Sequence, residues 1–137
     1  MRKCVTIFPT IQQRIVIDCV IGSPDFDNTS VDSNNVICKA LIDTGAMCTC
    51  ISSRVADFLS LQPTGTMIIT GANNHSDLVN THIVNLTLGG EIRFEMIKVP
   101  RLNMTDQDLI IGMDLISKGD MVLKNSSDGT VFMFQKN

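Results

Sequence analysis

The chain has 137 residues, of which 44% are apolar and 18% charged, and its formal net charge is −3. That length suits one domain over residues 1–137 with a core of its own, and the composition is globular rather than disordered. The acidic balance gives no basic footprint for nucleic acid, and no run approaches the roughly 18 unbroken apolar residues of a membrane span.

The start, Met1-Arg2-Lys3, imitates the charged region of a signal peptide, but the apolar run that follows fails at Pro9, Gln12, Gln13 and Arg14. No signal peptide is read, and a cytoplasmic location is expected. Residues 1–13 are expected to form an N-terminal arm or an edge strand. Arg14 to Ile21 is β-branched and predicts a strand. Residues 22–35 collect Gly, Ser, Pro, Asp and Asn and predict an exposed acidic loop. Val36 to Ile42 is a second strand. Ser52 or Ser53 is placed to cap a short helix reaching about Leu59, with Val55, Phe58 and Leu59 inward. Thr66 to Thr70 is a short strand, followed by a polar turn from Gly71 to Asp77.

Leu78 to Leu88 alternates, with Val84, Leu86 and Leu88 on one face. Gly89-Gly90 signals a two-residue hairpin. Ile92, Phe94 and Met96 continue the alternation until Pro100. Leu109-Ile110-Ile111 is a short apolar strand stopped by Gly112, and Asp114 is placed to cap a helix from Leu115 to Lys118. Met121 to Leu123 and Thr130 to Phe134 make a last hairpin. No close internal repeat is visible. Many short strands with two helices predict a small, mainly β barrel or sandwich.

The chemistry gathers at Asp43-Thr44-Gly45, which directly follows the apolar run Ala40-Leu41-Ile42. A carboxylate is thereby placed in a turn at the end of a buried strand, and glycine permits the turn geometry. A lone carboxylate there is costly to bury, whereas two meeting across a symmetry axis share a proton and activate water. Taken by itself, Asp43 reads equally well as a turn-forming residue.

Three pieces in order carry a resemblance: Leu41-Ile42-Asp43-Thr44-Gly45-Ala46, then Thr70-Gly71-Ala72-Asn73, then Leu109-Ile110-Ile111-Gly112-Met113-Asp114-Leu115. Together they resemble the retropepsin-like aspartic proteases, and the Gly-Met-Asp stretch is most like the cellular and bacterial members. The resemblance implies a small closed β-barrel with one or two short helices. It implies a homodimeric endopeptidase acting on peptide or protein substrates, without metal or cofactor. Each copy would supply Asp43, supported by Thr44, Gly45 and Ala46. Thr70, Gly71, Ala72 and Asn73 would form a flap over the substrate, and Ile110, Ile111 and Gly112 a pocket wall.

Two departures stand out. Many retroviral members pair an acidic residue after the Asp-Thr-Gly-Ala turn with an arginine after the Ile-Ile-Gly stretch. Met47 and Met113 stand here instead, which predicts apolar packing in place of that pair. The flap also lacks a Gly-Gly tip. A non-catalytic dimeric peptide-binding or assembly module of the same fold is the alternative function.

The remaining candidates read structurally. Five cysteines, Cys4, Cys19, Cys38, Cys48 and Cys50, are an odd count without a Cys-x-x-Cys pair, so free thiols are expected rather than a disulfide framework or zinc site. Cys48 and Cys50, close after the turn, are weighed as redox-sensitive and read as ordinary thiols. His75 and His82 have no companion at metal-ligand spacing and are assigned to solvent or turns.

Overall fold

A computed structural model of the protein describes residues 2–24 and 35–137. Among these residues the chain runs β1 (Lys3–Phe8), β2 (Val16–Gly22), β3 (Asn35–Ile42), β4 (Cys50–Ser52), α1 (Ser53–Phe58), β5 (Gly65–Thr70), β6 (Ser76–Leu88), β7 (Ile92–Leu102), β8 (Leu109–Ile111), α2 (Met113–Ile116), β9 (Gly119–Ser126) and β10 (Gly129–Lys136). The loop expected over 22–35 falls mostly on residues 25–34, which lie outside the described residues. No described helix is long and apolar enough to cross a membrane.

Six strands close into a barrel in the order β2-β3-β8-β4-β7-β6, with β6 returning to β2. Closure removes the free edges that an open sheet would expose. The alternating strands turn Ile17, Ile21, Ala40, Val84 and Leu86 into an aliphatic interior, capped by Leu115 of α2 and Val55 of α1. β5 extends from β6 outside the ring, so the β5–β6 hairpin projects from the barrel.

The topology contains a two-fold repeat that the residues do not announce. The series β2-β3-β4-α1 recurs as β6-β7-β8-α2. β3 runs parallel to β8 and β7 parallel to β4, while β2–β6 and β4–β8 pair antiparallel at the centre. Exchanging the halves maps the ring onto itself.

A second, three-stranded sheet joins the two ends of the chain in the order β1-β10-β9. Lys3–Phe8 is therefore an edge strand. The sheet is anchored to the barrel by Cys4, Phe132 and Phe134, which are buried in the common core, and Phe134 packs on Phe94 with ring centroids 6.4 Å apart.

Several local expectations need correction. Phe58 is 66% exposed, and Ala56 takes the inward place beside Val55 and Leu59. Met96 is 63% exposed because the β6–β7 register shifts between Val84 and Leu86. Asn85 Oδ1 accepts the Met96 N–H at 2.9 Å, and Met96 takes a positive φ of 55°. Such a bulge changes which residues face inward: Ile92 and Phe94 before it, Val99 after it. β7 also runs through Pro100 to Leu102. Proline donates nothing to a ladder, and here the carbonyl of its opposite residue Thr81 is already taken by the Thr64 N–H at 2.8 Å. The Gly89-Gly90 turn includes Glu91, whose N–H donates to Leu88 O at 3.1 Å while Leu88 pairs with Ile92. Both glycines have positive φ, 58° and 75°, the conformation this turn requires.

Candidate active site

β3 carries Ile42 to the barrel wall, and the chain then turns at Asp43-Thr44-Gly45. The Asp43 N–H donates to Ile111 O on β8 at 2.9 Å, which ties the start of the turn to the neighbouring strand. Within the turn, the Gly45 N–H donates to Asp43 Oδ1 at 2.9 Å and the Ala46 N–H to Asp43 O at 3.2 Å. Asp43 is half-buried, while Thr44 and Gly45 are exposed. Among the described residues no lysine, arginine or histidine pairs with the Asp43 carboxylate.

The chain leaving the turn is held from below by residues the motif does not name. Thr49 is fully buried. Its N–H and hydroxyl donate to the two oxygens of Asp114 at 3.0 and 2.8 Å, and its oxygen accepts the Gly112 N–H at 3.1 Å. The Met113 and Asp114 N–H groups donate to Ala46 O at 2.8 Å and Met47 O at 3.2 Å. Asp114 is thus not the cap of a helix over Leu115–Lys118. α2 begins at Met113 with Gly112 as its N-cap, and Asp114 instead joins the two loops that cross beneath Asp43. A carboxylate held by several donors in this way is stable although partly buried. Thr49 carried no sequence signal beyond being a lone hydroxyl in an otherwise apolar stretch.

Met47 and Met113 do not pack in place of an ion pair within the protomer. The two residues are 88% and 39% exposed, although their backbones lie together. Ile110 and Ile111 point to opposite faces of β8: Ile111 is buried in the core and Ile110 is half-buried. Gly112 lies directly beneath the turn's exit.

Thr70, Gly71, Ala72 and Asn73 form the tip of the β5–β6 hairpin, with Gly71 N–H donating to His75 O at 3.0 Å and Thr70 Oγ1 2.8 Å from Ser76 Oγ. All four tip residues are exposed. A groove of about 640 Å³ runs under this hairpin, between Ile69 and Leu78 on one side and Arg101 to Met104 on the other. Asp43 is absent from its lining and opens instead into a smaller concavity of about 320 Å³ with Thr44, Ile15, Leu41, Met121 and Leu123. The larger groove and the carboxylate are therefore separate concave surfaces of one protomer.

All five cysteines are free. Cys48 and Cys50 Sγ are 3.9 Å apart, and burial, followed by the neighbouring Cys48, pushes the Cys50 thiol up. His75 sits at the hairpin tip beside Asp77 at 3.1 Å. His82, contrary to expectation, is fully buried, with Nδ1 3.0 Å from Gln62 O. Among the described residues no group of His, Cys, Asp and Glu is arranged to hold a metal ion.

A closed barrel whose inner strand ends in an Asp-Thr-Gly turn, crossed by an Ile-Ile-Gly loop, is a retropepsin-like aspartic protease fold. A family model described as gag-polyprotein putative aspartyl protease matches residues 29–118, and the chain belongs to that family. No curated protein matches it in sequence. Among solved structures, a retropepsin-like aspartic protease from Rickettsia conorii aligns with a TM-score of 0.56 at 16% identity, over 96% of this chain and 89% of the other. At that identity the likeness shows the fold. The simian foamy virus (mac) protease (TM-score 0.47, 16% identity, 73% and 89% covered) is a looser likeness. The same holds for the retroviral protease-like domain of Ddi1 from Leishmania major (TM-score 0.48, 20% identity, 80% and 79% covered).

Proposed function

We propose that the chain is a homodimeric aspartic endopeptidase in which two copies of Asp43 share one catalytic site. The observation that supports this reading is the Asp43 turn itself. It is a carboxylate at the end of an inner barrel strand, without a cation and open to solvent beside an exposed Thr44 and Gly45. Alone it supplies a base for water but no acid for the carbonyl oxygen. Two carboxylates about 3 Å apart cannot both ionise cheaply, so the pair holds one proton. The ionised member takes a proton from water as the water oxygen attacks the amide carbon. The protonated member donates to the carbonyl oxygen, and the resulting tetrahedral species collapses as the leaving nitrogen is protonated. Neither step calls for a metal or cofactor.

In this reading Thr44 bonds across the dimer and holds the two turns together. Gly45 offers its carbonyl to the substrate backbone, with Ala46 behind it. Thr70, Gly71, Ala72 and Asn73 close as a flap on an extended peptide. Ile110 walls a side-chain pocket that Ile111 and Gly112 support. The whole of residues 1–137 acts as one protease domain, and five free thiols suit a reducing compartment such as the cytoplasm.

The test is cleavage of a peptide library between about pH 4 and 7 with and without a statine-type transition-state mimic. Cleavage that the mimic abolishes, with activity falling on the alkaline side, is expected. Peptides bound but left intact across that range would replace the enzyme reading with a non-catalytic peptide-binding module.

A further inference from the structure

We infer that Cys48 and Cys50 are a redox-closable pair beside the Asp43 turn. A small disulfide such as oxidised glutathione enters at Cys48, Cys50 displaces it, and the bridge that forms loosens the crossing beneath Asp43. The effect on cleavage rests on the protease reading of Asp43, whereas the bridge and its effect on the crossing do not.

The two sulfurs already converge. The Cys48 and Cys50 Sγ atoms stand 3.9 Å apart, and the Cys50 thiol donates to Cys48 O at 3.4 Å. A disulfide needs an S–S distance of about 2.05 Å, so each sulfur has to move by only about 1 Å. A bridge across one residue closes a small ring and draws Cys48 and Cys50 together about Thr49.

Entry is confined to one thiol. Cys4, Cys19, Cys38 and Cys50 are buried, and Cys48 is half-exposed. Burial pushes all four buried thiols up, which keeps them protonated and unreactive. Cys19 and Cys38 also face each other, across β2 and β3, but both lie in the barrel core, away from any small disulfide in solution.

The exchange runs in two steps. The Cys48 thiolate attacks one sulfur of oxidised glutathione, the S–S bond of the reagent breaks, and one glutathione thiolate leaves. The Cys50 thiolate then attacks the Cys48 sulfur and expels the second glutathione. Two protein thiols are oxidised to a disulfide, one oxidised glutathione is reduced to two thiols, and the two protons that the cysteines lose end on those thiols. After burial, Cys48 is the next cause of the raised Cys50 thiol. Once Cys48 is capped its charge is gone, and Cys50 ionises more readily for the second step.

Thr49 ties the pair to Asp43. It stands between the two cysteines, fully buried, with its N–H and hydroxyl on Asp114 and its oxygen accepting the Gly112 N–H. The Cys48 carbonyl lies so close over Gly112 that a Cβ there would be 2.7 Å from it. Drawing the cysteines together therefore pulls on a residue whose side chain and N–H are committed across the crossing, and on a contact with no slack. Asp43 and Asp114 are both near enough for their charges to bear on the Cys50 thiol. With the thiols reduced the crossing is intact, and with the bridge closed the Asp43 turn loses its fixed seat.

The experiment treats wild type, Cys48→Ser and Cys50→Ser with oxidised glutathione and then with dithiothreitol. In wild type, two of the five thiols should disappear, and peptide mapping should find Cys48 joined to Cys50. Cys50→Ser should stop at one glutathione retained on Cys48, and Cys48→Ser should keep all its thiols. Closure should speed amide exchange at Thr49 and Gly112 at least about tenfold, a readout independent of catalysis. It should also lower kcat/KM on a cleaved peptide at least about tenfold, with dithiothreitol restoring it and Cys48→Ser untouched by the oxidant. A wild type that keeps five thiols, or that holds only a glutathione adduct, overturns the pair. A bridge that leaves amide exchange unchanged, or leaves the cleavage by an active protein unchanged, overturns the switch. Bridge formation with faster exchange, in a protein that cleaves nothing even when reduced, keeps the closure and removes the protease reading instead.

Discussion

The two halves of the barrel begin their helices differently. α1 is capped by Ser52, whose hydroxyl accepts the Val55 N–H at 3.1 Å. α2 starts at Gly112 with no side-chain cap. The reason is steric: a Cβ at Gly112 would lie 2.7 Å from the Cys48 carbonyl carbon and oxygen and 2.9 Å from Ala46 O. The chain leaving Asp43 passes too close for any side chain, and its own carbonyls take the helix N–H groups in place of a hydroxyl. The matching crossing in the other half is looser. There the Ser52 N–H donates to Asp108 O at 2.9 Å, and Arg54 reaches the Asp108 carboxylate from a largely exposed position. Two halves alike in topology thus differ in what they hold, and the tighter crossing is the one beneath the aspartate turn.

The largest effect should come from closing that tight crossing. Gly112→Ala forces backbone apart and is expected to destabilise the fold by about 3 kcal/mol, read by urea unfolding. A loss near zero would mean that the crossing is not tight. Asp114→Ala leaves the Thr49 N–H and hydroxyl buried without their acceptor and should cost about 2 kcal/mol, with Asp114→Asn losing less. An unchanged Tm for Asp114→Ala would reduce its role to that of an ordinary surface acid.

The third effect separates the halves by pH. Cys19 and Cys38 face each other across β2 and β3, and the β6–β7 pair carries no counterpart. Burial raises the Cys38 thiol from its usual 9.0 to about 12 and pushes Cys19 well up. Folding thus favours the protonated thiol. The stabilisation is complete below pH 9 and is lost as the pH rises from there to about 12. Stability should fall by about 1.4 kcal/mol per pH unit for each such thiol, and Cys38→Ala should flatten the slope. The same slope in wild type and variant would rule Cys38 out. The smallest effect belongs to the looser half: Ser52→Ala should cost about 1 kcal/mol, the ordinary value of an N-cap. A loss as large as that of Gly112→Ala would erase the difference between the halves.

Much of this was legible in the sequence because local signals were strong. Alternation placed β6 and the first part of β7, apolar runs placed β3 and β8, and the pair Ser52-Ser53 marked the start of α1. The Asp43 turn fell where the end of an apolar strand required it. What stayed hidden depends on partners distant in sequence. The bulge that exposes Met96 is fixed by Asn85 on another strand. Pro100 continues its strand because Thr64 supplies the N–H that proline lacks. Asp114 looks like a helix cap until Thr49, 65 positions away, is seen to donate to both its oxygens. The internal two-fold is a relation among pairings and leaves no residue pattern to read.

The central claim is that Asp43 is the reacting group of a site completed by a second copy. Asp43→Asn keeps the size of the side chain and removes the shared proton. Measured against wild type on the same cleaved peptide at the optimum pH, with equal Tm confirming the fold, the account predicts a loss of kcat/KM of at least about 10³-fold. Cleavage undiminished by the substitution would contradict it.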